Sequence, residues 1–168
     1  MQEITGKGEP IFGGVDYRRG ESMELYADIN KAIKIIVNSK MRRTGICGAL
    51  ETLLIDRHIS EKAVPIIVKN LTKSGCHIRG DIETKQIVNE IELASEKDWH
   101  TEYLDAILSL KLVKGVLGAI DHISKYSSNH TESIITENTK VAETFLNNVD
   151  SAIAVSYTHL TLPTNREV

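Results

Sequence analysis

Cysteine, proline and aromatic residues are scarce in this chain, and no long apolar run interrupts it. Its 168 residues include 2 Cys, 3 Pro and 1 Trp, with aromatic residues at only 5%. Two cysteines, at positions 47 and 76, give no disulfide framework for a chain of this size. No stretch approaches the roughly 20 apolar residues of a membrane-spanning helix. Residues 1–14 are polar and Gly-rich and lack the apolar centre of a secretory signal. Neither sign of charge dominates: 20 Lys and Arg stand against 23 Asp and Glu, a net charge of -3. The basic residues are scattered among the acids, which excludes the footprint of a nucleic-acid binder and a polybasic membrane patch. A cytoplasmic protein is the expected class. The N-x-[ST] triplets at Asn70 and Asn129 therefore carry no weight as glycosylation sites.

What is present suits one domain. Apolar residues make up 41% of the chain, enough for an ordinary core. Residues 1–26 cluster glycines and show weak periodicity, which predicts loop with room for one strand. TGKGEP within them lacks the G-x-x-x-x-G-K-[ST] spacing that lets successive amides wrap a phosphate, so it reads as loop. From Asp28, a helix is predicted with Ile29, Ala32, Ile33, Ile36, Val37 and Met41 on one face. Lys40, Arg42 and Arg43 fall near its end, where cations suit the helix dipole. A strand is expected over 52–55. A helix follows from Ser60, with Val64, Ile67, Val68 and Leu71 inward and Gly75 as its stop. Pro65 lies deep for that start and argues for a later one. Further strands are predicted over 76–79, 106–113, 133–136 and 151–155. Further helices are predicted over 84–91, 115–126 and 139–149. In the 106–113 strand Leu108, Leu110 and Leu112 share one face. Leu117, Ile120 and Ile123 are the apolar set of the 115–126 helix, and Val141, Ala142, Phe145 and Leu146 that of the last. Strands alternating with helices of these lengths predict an α/β fold, a parallel sheet covered by helices.

Cys47 is the one position whose surroundings suggest reactivity. A thiol attacks as thiolate, and free Cys has a pKa of about 8.5. Arg42 and Arg43 lie just upstream, and Gly45 and Gly48 let the backbone approach a substrate. A helical turn opened by residues 48–50 would aim free amides at the sulfur. The commoner role of such a residue is that of a small buried hydrophobe, and residue pattern alone leaves both roles open. Cys76 reads as structural. Cys47, His58, Cys76 and His77 show no spacing of a zinc site. His100, His122 and His130 fall in separate segments, where exposed or hydrogen-bonded roles are expected. Glu51 is a candidate general base by proximity alone. Glu92, Glu96, Asp98, Glu102 and Asp105 read as a solvated acidic surface.

Longer motifs add to this. NSKMRRTGICGALETLLID, residues 38–56, resembles the active-site segment of the gamma-glutamyl phosphate reductase family, members of the aldehyde dehydrogenase superfamily. Asp98-Trp99 with Glu102-Tyr103-Leu104-Asp105 is similar to the family's D-W-x-x-E-Y-L-D segment. Ala119-Ile120-Asp121-His122-Ile123 and Tyr126 resemble its A-I-x-H-I-x-x-Y helix, and HTESIITEN, residues 130–138, its H-[TS]-[ED]-x-I-[VI]-T-E-N strand. The resemblance implies an aldehyde-dehydrogenase-type catalytic domain over 27–154, incomplete as a fold, with Cys47 in the nucleophile's place. It also implies NADP-dependent reduction of gamma-glutamyl phosphate, a small-molecule substrate, to glutamate 5-semialdehyde in proline synthesis. No nucleic acid or membrane partner is implied, and whether the full-length enzyme is a homo-oligomer is left open.

Departures from the family accompany the matches. The nucleotide-binding half that precedes the Cys segment in the family has no counterpart here, so no cofactor-binding residue is assigned and little turnover is expected of this chain by itself. Residues 1–26 match poorly, with VDYRRGESMELYA where a strand is usual. Ser127 and Asn129 replace glycines. Residues 155–168, VSYTHLTLPTNREV, resemble translated sequencing-adaptor read-through rather than the family's continuation. Two other readings stay open at this point: a different acyl-phosphate or aldehyde dehydrogenase, and a truncated domain without catalysis.

Overall fold

The computed structural model describes residues 11–13 and 29–157. Among them, seven strands form one sheet in the order β4-β3-β5-β2-β1-β6-β7, and every neighbouring pair is parallel. The strands are β1 (Ile11–Gly13), β2 (Thr52–Asp56), β3 (His77–Gly80), β4 (Glu92–Leu93), β5 (Ile107–Val113), β6 (Thr131–Ile135) and β7 (Ile153–Tyr157). Five helices connect them: α1 (Ile29–Met41), α2 (Ser60–Lys73), α3 (Ile82–Ile87), α4 (Gly115–Tyr126) and α5 (Thr139–Asn148). The α/β fold expected from the sequence is the fold observed.

A parallel sheet needs helices on both faces, because its crossovers lie there and neither face can stay wet. The side chains of β2 show the consequence. Leu53 and Ile55 join a core with α1, α2 and Leu108, Leu110 and Leu112 of β5. Leu54, pointing the other way, joins Val113 of β5, Ala119 and Ile123 of α4, Ile134 of β6 and Phe145 of α5. All five residues of β2 are buried. The period-2 geometry of a strand thus divides one short sequence between two cores.

Several elements differ from expectation for identifiable reasons. α2 begins at Ser60 despite Pro65, which sits inside the helix on an exposed face. There the absent N–H leaves only a solvent-accessible carbonyl without its helical donor. A 3₁₀ turn, Arg57–Ile59, leads into it from Asp56, whose carboxylate accepts the His58 N–H at 3.0 Å. α3 lies earlier than residues 84–91, because Asp81 caps it by accepting the Thr84 N–H at 2.8 Å. Leu117 is 64% exposed, and Ala119, His122 and Ile123 form the buried side of α4. Leu146 is exposed in α5. α1 starts at Ile29, and its expected cap, Asp28, lies outside the described residues. Gly75 ends α2 at φ +88°, where a side chain would be strained. The boundary expected at 155 falls within β7, whose Val155, Ser156 and Tyr157 register with Ser133, Ile134 and Ile135; residues 158–168 lie outside the described residues.

Asp98 corrects the reading of residues 92–105 as a solvated acidic surface. It is buried. Its carboxylate accepts from the Ser95 N–H at 2.7 Å and the Ser95 hydroxyl at 2.6 Å. The Arg79 guanidinium and the Tyr103 hydroxyl each donate to it at 2.7 Å. Burial by itself would raise the acid's pKa, but these four donors outweigh burial and hold it well below the usual carboxylate range. The Tyr103 hydroxyl is pushed up to about 12, first by burial, with the neighbouring Asp98 charge adding to it. A 3₁₀ turn, Glu96–His100, is fixed on the α4 face of the sheet by this network.

A depressed native pKa means that Asp98 contributes stability above the unfolded value of about 4, and that this contribution fades as pH falls below it. Asp98→Asn should therefore cost about 1–3 kcal/mol at neutral pH and flatten the acid side of a urea-denaturation series measured from pH 7 downward. In the second core, Phe145→Ala should cost about 3–5 kcal/mol, whereas Leu146→Ala, one residue along on the exposed side, should cost less than about 1 kcal/mol in the same assay.

Candidate active site

The loop between α1 and β2 carries Cys47, and its two ends are tied together. Lys40, in the last turn of α1, donates to Glu51 Oε2 at 2.9 Å; their side chains are 0% and 3% exposed. The Leu50 N–H donates to the Ser39 carbonyl at 3.1 Å, closing the same loop through the backbone. Glu51 Oε2 also accepts the Tyr103 N–H at 3.3 Å, which joins the loop base to the segment before β5. Burial raises the Glu51 pKa and the Lys40 charge opposes that rise. Lys40 thus belongs to the interior, not to a solvated helix end. Glu51 is held by Lys40 and is no free general base for the thiol.

Within this frame Cys47 is exposed, so the role of a small buried hydrophobe belongs to Cys76 instead. Cys76 is buried beside α2, and desolvation pushes its thiol up to about 11. Residues 48–50 do not open a helix. The Ala49 N–H donates to the Ile46 carbonyl at 3.1 Å and the Leu50 amide to Ser39, so these amides are not directed at the sulfur. Gly45 lies against the neighbouring segment: a Cβ there would stand 3.7 Å from the Leu104 carbonyl oxygen. Leu104 itself has φ +52°. A leucine in the left-handed region costs about 1–2 kcal/mol, and such strain persists only where surrounding structure enforces it. The Glu51–Tyr103 hydrogen bond is one such constraint, one residue away.

A second group of side chains gathers between the Glu96–His100 turn and α4. His122 is buried, with its ring 4.5 Å from that of Tyr126 and edge-on to Trp99 at 5.6 Å. His100 meets Tyr126 at 4.9 Å. Desolvation lowers the His122 pKa to about 3, and Lys111 adds to the effect, so its imidazole is neutral at physiological pH. His100 and His122, which fall in separate segments of the sequence, therefore share one environment. His130 stays apart, with Nδ1 2.9 Å from the Thr131 hydroxyl. Asn129 has φ +57°, a conformation that asparagine tolerates better than most residues. Sequence spacing gave no hint of the Trp99–His122–Tyr126 cluster. Its signal was the motif pair D-W-x-x-E-Y and H-I-x-x-Y, which the sheet brings together.

No helix among the described residues is long and apolar enough to cross a membrane. No protein-family model matches the chain. Individual proteins do. The chain is 49% identical over 146 residues to a gamma-glutamyl phosphate reductase of Hyphomonas neptunium, a match covering 87% of this chain and 34% of that protein. A crystal structure of gamma-glutamyl phosphate reductase from Thermotoga maritima superposes with a TM-score of 0.81 at 40% identity, over 92% of this chain and 35% of that one. An acetylating aldehyde dehydrogenase from Geobacillus thermoglucosidasius shares the fold alone, with a TM-score of 0.62 at 20% identity over 91% of this chain and 40% of that one. The chain spans about a third of the length of the curated relatives it matches. Extended identity together with a shared parallel sheet makes this chain a member of the gamma-glutamyl phosphate reductase family, built on the aldehyde dehydrogenase fold.

Proposed function

We propose that Cys47 is the nucleophile in the NADP-dependent reduction of gamma-glutamyl phosphate to glutamate 5-semialdehyde and phosphate, a cytoplasmic step of proline synthesis. One observation carries the assignment: the Cys47 side chain is exposed on a loop whose base is clamped by the buried Lys40–Glu51 pair. Exposure gives a substrate access to sulfur, and the clamp keeps the sulfur in one place. The family resemblance of residues 38–56 and the relatives' printed name support the substrate.

The chemistry suits a thiol. The Cys47 thiolate attacks the acyl carbon of the acyl phosphate, and a carbon–sulfur bond forms. The carbon–oxygen bond to phosphate breaks, and phosphate leaves with its electron pair. The resulting thioester is activated toward reduction, and thiolate is again a good leaving group when the aldehyde forms. NADPH, the cofactor that the family implies, supplies the hydride when bound.

Of the described turns that lead from a strand into a helix, those after β2, β3 and β6 do not fit a dinucleotide, while the turn after β5, Lys114–Gly115, has no side-chain cap. In an open α/β sheet, a pyrophosphate sits on free amides at a Gly-rich strand-to-helix turn. Asp56 occupies the His58 amide after β2, Asp81 the Thr84 amide after β3, and Asn138 the Lys140 and Val141 amides after β6. Two of these capping groups are carboxylates, which would repel phosphate. No hydride step is therefore assigned to these residues. On this reading residues 27–154 are the catalytic domain, completed within the sheet by β1, and the chain by itself is inactive.

Joined to the remaining two thirds of a relative, the chain should support phosphate-dependent NADP reduction with glutamate 5-semialdehyde. Cys47→Ala should lower that rate by more than about 10³-fold, and near-normal turnover in the variant would refute the assignment. By itself, the chain should leave NADPH fluorescence without a saturable change; micromolar binding would contradict the argument from the occupied turns.

A further inference from the structure

Leu104 is held in a backbone conformation that leucine seldom adopts. Its φ is +52°, inside the left-handed region that favours glycine and asparagine. Packing of its side chain does not account for this, because Leu104 is 49% exposed. The residues on either side do. Before it, the Tyr103 N–H donates to Glu51 Oε2 at 3.3 Å, and the Tyr103 hydroxyl donates to Asp98 at 2.7 Å. After it, Asp105 accepts the Ala106 N–H on its carboxylate at 2.7 Å and the Ile107 N–H on its carbonyl at 2.8 Å, where β5 begins. Backbone strain persists only where its surroundings over-determine it, and it gathers at functional sites.

The strained turn meets the loop of Cys47. The Leu104 carbonyl oxygen stands 3.7 Å from the point that a Gly45 Cβ would occupy, two residues before the sulfur. Close approach of one backbone to another is what a residue without a Cβ allows. Gly45, Ile46 and Cys47 are exposed, whereas Gly48, Ala49 and Leu50 are buried. The buried Lys40–Glu51 pair thus fixes the base of the loop, and the Leu104 carbonyl is set against its exposed part. Rotating φ to an ordinary negative value would swing that carbonyl away from Gly45.

We infer that Leu104 is a positioning residue for Cys47, acting through its backbone. Its left-handed turn seats a carbonyl against Gly45 and holds the exposed part of the loop, as Lys40 and Glu51 hold its base. Cys47 thereby keeps one direction of attack, and a misplacement of about 1 Å costs a reaction about 10²-fold. The benefit to catalysis rests on the proposed role of Cys47; the hold on the loop does not.

Two substitutions separate backbone from side chain. Leu104→Val keeps an apolar side chain, but a β-branched residue is strongly disfavoured at positive φ. Leu104→Asn gives up the apolar side chain and keeps the conformation. Arg42 and Arg43 are exposed and directly follow α1, so trypsin cleavage there reads opening of the loop. In the intact chain these cuts should be about tenfold faster with valine and within about twofold of the parent with asparagine. Cleavage after Lys73, at the end of α2, should change in neither. Unchanged loop cutting with valine, accelerated loop cutting with asparagine, or equal acceleration at Lys73 would each overturn the inference. Should the valine chain not fold, Gly45→Val crowds the same carbonyl from the loop side and takes its place, with the same expected and overturning results. In the enzyme completed with the remaining two thirds of a relative, Leu104→Val should lower kcat about tenfold with KM within about twofold, and asparagine should recover most of that loss. An unchanged kcat with valine would also overturn the positioning role. The trypsin pattern reads the loop and not turnover, so it stands or falls separately from the Cys47→Ala result.

Discussion

The buried pair between Lys40 and Glu51 is the constraint from which the site follows. Two charges removed from water must satisfy each other, since either one unpaired in the interior would cost several kcal/mol. Satisfying that requirement fixes the end of α1 against the start of β2, and so fixes the length and path of the segment between them. The same carboxylate reaches the Tyr103 amide, which draws the segment before β5 to the loop. An interaction of doubtful net value to stability therefore has a clear geometric effect: it leaves Cys47 outside and everything supporting it inside.

The second anchor works through the other face of the sheet. Asp98 gathers donors from Ser95, Arg79 and Tyr103, and Tyr103 also meets the Ser109 hydroxyl at 2.9 Å. Ser109 is the reason this is possible. It occupies the face of β5 opposite Leu108 and Leu110, where a small hydroxyl leaves room for a tyrosine and offers it a partner. Trp99 and His122 then lie beside that polar knot, and the cleft between them keeps polar atoms on an otherwise aromatic wall.

Much of the fold was legible because period and burial agree. β2, β5 and α4 follow directly from apolar spacing, as do the inward residues of α2. The errors fall where a side chain acts against its average behaviour. Lys40 and Asp98 read as surface charges, since Lys and Asp are seldom buried unless paired, and their partners lie 11 and 19 residues away in sequence. Leu117 and Leu146 read as core by composition, yet each falls just off the stripe its helix presents to the sheet. Pro65 argued for a late helix start, and the solvent outside α2 removed the penalty. At the site, Cys47 was legible by its neighbours and by motif. The meeting of Trp99, His122 and Tyr126 was not, because it depends on parallel strands placing distant segments side by side.

The strand order holds one further consequence. β4, β3, β5 and β2 lie on one side of β1, and β6 and β7 on the other. Three residues, Ile11–Gly13, therefore form the seam of the sheet, drawn from a part of the chain remote from both halves. A strand this short contributes few backbone bonds, so the β6–α5–β7 unit is joined to the rest largely through the packing of α4 on α5 and on β2 and β5. The sheet thus divides at β1, with the loop of Cys47 on its larger side.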